Sequence, residues 1–394
     1  MRRAWRAALA FVAAFAFAHG IGRADPFVPA DDAQVLESGL PTVDPRMREL
    51  RRLAAELAAA PDNLPLAMRL AGRQLAMGMA EADPRFVGYA QATLAHWWSD
   101  ASASPALRVL RARIMQARHE FAAAAAELHA ALADEPDSAE ALLALATGDE
   151  VLGKLSEAGE ACARLSAVQP GAVAVACTAS IASLTGHGED AFARLSDAIA
   201  RLPTRDRGQL LWAMTILGEI AIRRGDAAAA EQALDGALRL DSRNIYALTV
   251  YADFLLDQDR AADVMRLLSG FERVDALYLR LALAARALDQ PKAAAYRDDL
   301  RARFDAAQRQ GDLLHLRDAS RFYLEIAHEP GRALDYARQN WEGHKTPDDA
   351  RALVAAAAAC HDPIAAQPVI DWIAVTHLED VRMQAPLARL ETGG

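Results

Sequence analysis

The chain has 394 residues, of which 53% are hydrophobic and 24% charged, a balance that indicates a globular protein and excludes a disordered one. Its formal net charge of −10 argues against nucleic acid as a partner, because phosphate binding needs clustered Lys and Arg. Aromatic residues make up only 6%, alanine dominates the apolar residues, and no stretch alternates as a strand does. Composition therefore predicts closely packed helices.

The first 24 residues have the three parts of a secretory signal peptide. The basic start MRRAWR is followed by a 12-residue apolar run over residues 7–18 and by small residues before Asp25. We predict cleavage after Ala24 and export to the periplasm or the medium. The alternative is an uncleaved anchor, although the run is short for a membrane span. Without this signal the chain carries 39 basic and 53 acidic residues, a net charge of −14. After cleavage we do not expect the protein to be an integral membrane protein.

The rest of the chain divides by its patterns. An amphipathic helix over residues 44–61 reads as a cap, and residues 63–99 as a degenerate helical hairpin. The predicted segments are a signal peptide (1–24), an extended segment (25–43), the cap and hairpin (44–104), core repeats (105–308), divergent C-terminal hairpins (309–378) and a tail without periodicity (379–394).

Internal repeats are the main signal. Four segments share one pattern. Each begins with an alanine, has core residues four and seven positions after it, and has a helix-breaking residue twelve positions after it. Their leading alanines lie 34, 33 and 39 residues apart and are Ala124, Ala158, Ala191 and Ala230. Twelve positions before each stands a small residue, namely Ala112, Ala146, Ala179 and Gly218. Residues 255–268 and 287–300 add two units at a 32-residue offset, which also aligns Tyr246 with Tyr278.

This spacing resembles the tetratricopeptide repeat, and LGEIAIRRGDAAAAEQALDGAL (217–238) matches its pattern best. The tryptophan and tyrosine of that pattern are mostly missing. The resemblance implies an all-α fold, an α-solenoid of about eight to nine stacked helical hairpins in a right-handed superhelix. Another type of α-hairpin solenoid is the alternative.

The resemblance also implies a concave groove lined by the first helices of the hairpins, where a protein or peptide segment binds. The residues expected to face this groove are Arg113, Gln116, Glu140, Thr147, Glu150, Ser180, Trp212, Glu219, Arg223, Tyr246, Thr249, Asp253, Asp257 and Tyr278. Trp212, Tyr246 and Tyr278 would form an aromatic column that either contacts a ligand or packs between neighbouring helices. The mixed to acidic character of the set favours a basic or apolar partner.

Catalytic and metal-binding motifs are not found in the sequence. His119 and His129 are ten residues apart and would fall on different faces of a helix, and His187 is placed at an inter-helix turn. No H-E-x-x-H, G-x-S-x-G, P-loop or G-x-G-x-x-G is present, and no pair of carboxylates stands out. We therefore expect no enzyme, no metal site and no cofactor; an enzyme with an unrecognised site is the minor alternative.

Three cysteines, Cys162, Cys177 and Cys360, would lie in an oxidising compartment. The repeat alignment puts Cys162 on the second helix of one unit and Cys177 on the first helix of the next. We predict a disulfide between them, with two buried reduced thiols as the alternative, and we expect Cys360 in the core.

The sequence thus favours an exported protein-binding scaffold that assembles or regulates a cell-envelope complex. The alternative is an accessory factor for export or assembly of an envelope polymer, with the groove binding a polysaccharide or a nascent chain.

Overall fold

In the computed structural model the described residues are 44–202, 206–311 and 315–392, and they contain twenty α-helices and no strand. The chain divides into two units, Met1–Arg48 and Glu49–Gly394. Asp44 caps helix α1 (Pro45–Ala59), since its carboxylate accepts a hydrogen bond from the Arg46 backbone N–H at 2.8 Å. The predicted signal peptide and the segment 25–43 lie outside the described residues.

The helices after α1 pair into antiparallel hairpins, nine of them within the described residues. Hairpins 1 to 5 are α2 (Leu64–Glu81) with α3 (Pro84–Thr93), α4 (Pro105–Ala117) with α5 (Phe121–Asp134), α6 (Ala139–Val151) with α7 (Leu155–Val168), α8 (Ala172–Ser183) with α9 (Gly188–Arg201), and α10 (Arg207–Arg224) with α11 (Ala227–Leu240). Hairpins 6 to 9 are α12 (Ile245–Asp257) with α13 (Ala261–Leu267), α14 (Asp275–Ala287) with α15 (Ala293–Gln310), α16 (Leu316–Glu325) with α17 (Pro330–Gly343), and α18 (Pro347–Ala359) with α19 (Pro363–Thr376).

The first helices of successive hairpins contact each other from hairpin 1 to hairpin 9. This is the stacking of an α-solenoid, so the all-α prediction is confirmed. Short 3₁₀ turns occur at Ala95–Trp97 and Val381–Met383.

Small residues stand where the two helices of a hairpin cross. Ala112 with Ala124 and Ala146 with Ala158 are buried, as are the corresponding residues of the next two hairpins. At Gly218 an added Cβ would lie 2.8 Å from Leu234 Cγ, which leaves no room for a side chain. The repeat spacing therefore marks buried positions at which the packing of two helices requires a small residue.

Enlarging one of these contacts should destabilise its hairpin. Ala124→Leu places three more carbon atoms in a fully buried position, and we expect it to lower the free energy of unfolding by about 1–3 kcal/mol. Ala123→Leu, in the same alanine run but on the exposed face of α5, is the matched control. Urea denaturation gives both values, and equal losses for the two variants would contradict the assignment of Ala124 to the helix crossing.

Each hairpin turns through one residue with a left-handed backbone. These nine residues are Ala82, His119, Gly153, Gly186, Gly225, Asp259, Asp289, His328 and His361. Asp and His enter this conformation more readily than most side chains, which accounts for the histidines at three of these turns. His119 thus precedes α5 and is not on a helix with His129; His187 lies at the turn, as predicted, and directly precedes α9.

The segment after Leu378, which reads as aperiodic in the sequence, forms helix α20 (Gln384–Thr392). Met383, Leu387 and Leu390 are spaced as on one face of a helix and pack against the core of the last hairpins. The sequence analysis did not predict this helix, because its apolar face consists of only a few residues.

Candidate functional site

The predicted groove residues join the first helices of successive hairpins. Arg113 Nη1 lies 2.7 Å from Glu140 Oε1 between hairpins 2 and 3, and Gln116 Nε2 donates to the carbonyl of Ala144 at 2.7 Å. The hydroxyl of Ser180 donates to Glu150 at 2.9 Å between hairpins 3 and 4. We call this series of contacts the first-helix ladder.

The ladder continues along the next hairpins. Arg223 donates to the hydroxyl of Ser183 at 2.6 Å, which joins hairpins 4 and 5, and Tyr246 Oη donates to Glu219 at 2.6 Å, which joins hairpins 5 and 6. Thr147 and Thr249 differ, because their hydroxyls bond to carbonyls of their own helices. Several of the side chains predicted to face a groove therefore join successive hairpins of the solenoid.

The aromatic column is only partly formed. Trp212 is half-buried and packs against the cores of hairpins 2 to 5, while the Tyr246 side chain is 48% exposed. Tyr278 is wrong as a groove residue: it is 6% exposed and packs on Tyr296, with ring centroids 4.9 Å apart.

The error at Tyr278 comes from the alignment. The turn residues Asp259 and Asp289 are 30 positions apart, not the 32 that the sequence similarity suggests. Two residues correspond to about 200° around a helix, so Tyr278 matches the buried Leu248 rather than Tyr246.

Carboxylates dominate the middle of the ladder. Burial raises the pKa of Glu219 to about 7, although Arg223 and the hydrogen bond from Tyr246 favour the ionised form. Burial likewise raises the pKa of Glu150. Both carboxyl groups act electrostatically on the hydroxyl of Tyr246, whose ring is exposed.

Hairpins 6 to 9 carry a dense ion-pair network on the same face. Arg280, only 2% exposed, donates to Asp253 at 2.7 Å and to Asp318 at 2.9 Å, and Arg321 also donates to Asp253. Arg351 forms a bidentate pair with Asp257 at 2.6 Å. Asp253 and Asp257, predicted for a ligand, thus have arginines of this chain as their partners.

Two later segments cover one edge of hairpins 2 to 5. Residues 344–345 and 377–381, here called the closing segments, contact four consecutive hairpin turns. The Lys345 N–H donates to the carbonyl of Val151 at 2.7 Å. Added Cβ atoms would lie 2.9 Å from Lys345 at Gly153, 3.3 Å from His377 at Gly186 and 3.4 Å from Val381 at Gly225.

The fourth contact is a pair of histidines. His344 Nε2 lies 2.9 Å from His119 Nδ1, beside the ring of Phe121. Desolvation and the neighbouring His344 lower the pKa of His119 to about 4, so near neutral pH one imidazole donates to the other. No local pattern in the sequence indicates this pairing, because the two residues are 225 positions apart.

A cavity of about 520 Å³ lies where the closing segments meet hairpins 4 and 5. It is bounded by the start of α9, the end of α10 and residues 378–387. Its volume is within the range of about 300–1,000 Å³ found for small-molecule sites.

Cys162 on α7 and Cys177 on α8 lie where the alignment places them. Their Cα atoms are 5.5 Å apart and their sulfur atoms 1.96 Å apart, which is bonding distance. The disulfide in the isolated protein stays a prediction. Cys360 is half-buried at the end of α18.

Within the described ranges no group of three or more metal-ligating side chains converges. In the same part of the chain, no helix combines the length and apolarity needed to cross a membrane.

No protein-family model and no curated protein sequence matches the chain. Among solved structures it is similar to PilF of Pseudomonas aeruginosa (19% identity, 51% of this chain and 92% of that one, TM-score 0.40). It is also similar to yeast Tom70 (12% identity, 88% and 84%, TM-score 0.42) and to a tetratricopeptide repeat protein of Parabacteroides merdae (16%, 63% and 97%, TM-score 0.39). These similarities concern the stacking of helices alone. Its own hairpin spacing and the contacts between successive first helices show that the described part of the chain is an α-solenoid of stacked helical hairpins.

Proposed function

We propose that the chain is an exported scaffold that binds another protein through its concave face and so assembles or regulates a cell-envelope complex. The observation that carries this proposal is Tyr246. Its ring is nearly half exposed while its hydroxyl is fixed by Glu219, so a large amphipathic side chain is presented with little rotamer entropy to lose. The adjacent Glu150 and Glu219 favour a basic or apolar partner segment.

Export is supported by the predicted signal peptide and by the proximity of two cysteine sulfurs, a pairing that persists in oxidising compartments. The alternative is an accessory factor for export or assembly of an envelope polymer, with a polysaccharide or a nascent chain in the groove. Since Tyr278 is buried, a stacking surface for such a polymer would consist of Trp212 and Tyr246 alone.

A photo-crosslinking amino acid at position 246, introduced in intact cells, tests the proposal. We expect one protein to be crosslinked from position 246 and to lose affinity for the Tyr246→Ala variant. Tyr89, exposed on α3, is the matched control, and Tyr89→Ala should retain binding. The mature protein from the envelope fraction should begin at Asp25. If position 246 captures the same proteins as position 89, the concave face is not the binding surface.

A further inference from the structure

The wall of the cavity near hairpins 4 and 5 contains cationic N–H groups without acceptors. Arg223 is 8% exposed, and its Nε has no hydrogen-bond partner although Nη2 donates to Ser183. Arg224 Nη1 is also buried without a partner, while its Nη2 pairs with Glu189. Both arginines line the cavity. Buried guanidinium donors of this kind normally have an acceptor, because leaving them without one is costly.

The start of α9 adds to the same wall. This 14-residue helix begins without a side-chain cap, and its first residues, Gly188 and Glu189, line the cavity. Uncapped backbone N–H groups and the positive end of the helix dipole favour an anion. Gly188 lies beside Arg224 in this wall, since an added Cβ at position 188 would be in van der Waals contact with the Arg224 side chain at 3.6 Å.

The rest of the cavity wall is largely apolar, so we expect the part of the ligand that contacts it to be a hydrocarbon chain. The apolar residues of this wall are Ile220, Ile373, Leu378, Val381, Met383 and Leu387.

The acidic residues of the wall limit the charge of the ligand. Asp380 is already paired with Arg382, and Glu189 with Arg224, while Glu379 is exposed. This balance favours a single negative charge over the double charge of a phosphate.

We propose that this cavity is a binding site for an aliphatic carboxylate, with the carboxylate on Arg223, Arg224 and the start of α9 and the hydrocarbon chain against the apolar wall. The site is separate from the ring of Tyr246, and occupying it does not require a protein partner. It lies under the second closing segment, so the ligand would contact both hairpins 4 and 5 and the C-terminal residues.

Calorimetric titration of the purified full chain with sodium octanoate tests the site. We expect saturable binding that is at least tenfold tighter than that of octanol, which lacks the charge, and of acetate, which lacks the chain. Octylamine tests the sign of the charge and should also bind at least tenfold more weakly. Equal or tighter binding of octylamine or octanol, or no binding of octanoate, would overturn the proposal.

Variants locate the binding. Arg223→Gln should weaken octanoate binding at least tenfold, as expected for one lost charge-assisted hydrogen bond. Arg201→Gln, exposed at the end of α9 and outside the cavity, should leave octanoate binding unchanged. Val381→Trp fills the cavity from a partly exposed position, so it tests the site even if Arg223→Gln fails to fold. Wild-type affinity in Val381→Trp, or an equal loss in Arg201→Gln, would place the binding elsewhere.

Discussion

Asp253→Asn is expected to lower the free energy of unfolding by about 3–5 kcal/mol, because it removes the negative charge that the buried Arg280 and the largely buried Arg321 share. Arg280 is 2% exposed and donates to both Asp253 and Asp318, and Arg321 donates to Asp253 as well. Removing the Asp253 charge therefore unbalances two guanidinium groups at once. Guanidinium chloride denaturation followed by circular dichroism measures the loss.

The exposed pair of Arg113 and Glu140 provides the matched control, since it also joins two first helices. Glu140→Gln should cost no more than about 1 kcal/mol. A similar loss in the two variants would mean that burial does not decide the strength of these ladder contacts.

The stability difference between wild type and Asp253→Asn should also depend on pH. Burial opposes ionisation of Asp253, but Arg280 and Arg321 outweigh it and hold its pKa well below the usual value. The stabilisation is therefore fully present above the unfolded pKa of about 4 and is lost as the pH falls towards the folded value. The stability gap between wild type and Asp253→Asn should be constant from pH 5 to 8 and should narrow below about pH 4. A gap that instead grows in acid would contradict this assignment.

Loss of the Cys162–Cys177 bond should cost about 3 kcal/mol, the value for closing a loop of about 15 residues in the unfolded chain. Cys162→Ser/Cys177→Ser and reduced wild-type protein should show the same lowered denaturation midpoint. The effect should be localised between hairpins 3 and 4, because α7 and α8 carry the two sulfurs. Hydrogen exchange of these helices measures that localisation.

Peptide mapping establishes the bond itself. Under non-reducing conditions trypsin should release residues 155–164 linked to residues 165–194. Cys360→Ser is the control and should leave both the linked peptide and the midpoint unchanged. Free alkylation of Cys162 and Cys177 in the exported protein would refute the pairing.

The repeats could be predicted from the sequence because packing restricts certain positions to small residues. Ala124 is fully buried and an added Cβ at Gly218 would meet the Leu234 side chain, so larger side chains do not fit, and such positions recur at a regular interval in the sequence. The 32-residue offset failed because similarity between two turn sequences is weaker evidence than the turn conformation, which repeats at 30 residues there. That difference alone moved Tyr278 from the groove to the core.

The features that the sequence could not predict are contacts between distant segments. The bidentate pair of Arg351 with Asp257 spans 94 residues, and the pair of His344 with His119 spans 225. Charged residues are frequent along the chain, so nothing local identifies which arginine meets which aspartate. His119 was expected on a helix with His129, but its left-handed backbone places it at the turn before that helix.

The closing segments restrict the number of hairpins that this solenoid can contain. In an ordinary repeat array each unit contacts only its neighbours, so units are gained or lost with little effect at a distance. Here Lys345 must reach Gly153 and Val381 must reach Gly225, across the hairpins in between. Adding or deleting one hairpin between positions 225 and 344 would shift these contacts out of register. The number of repeats in that interval is therefore fixed by the fold, and variation is left to the surface residues.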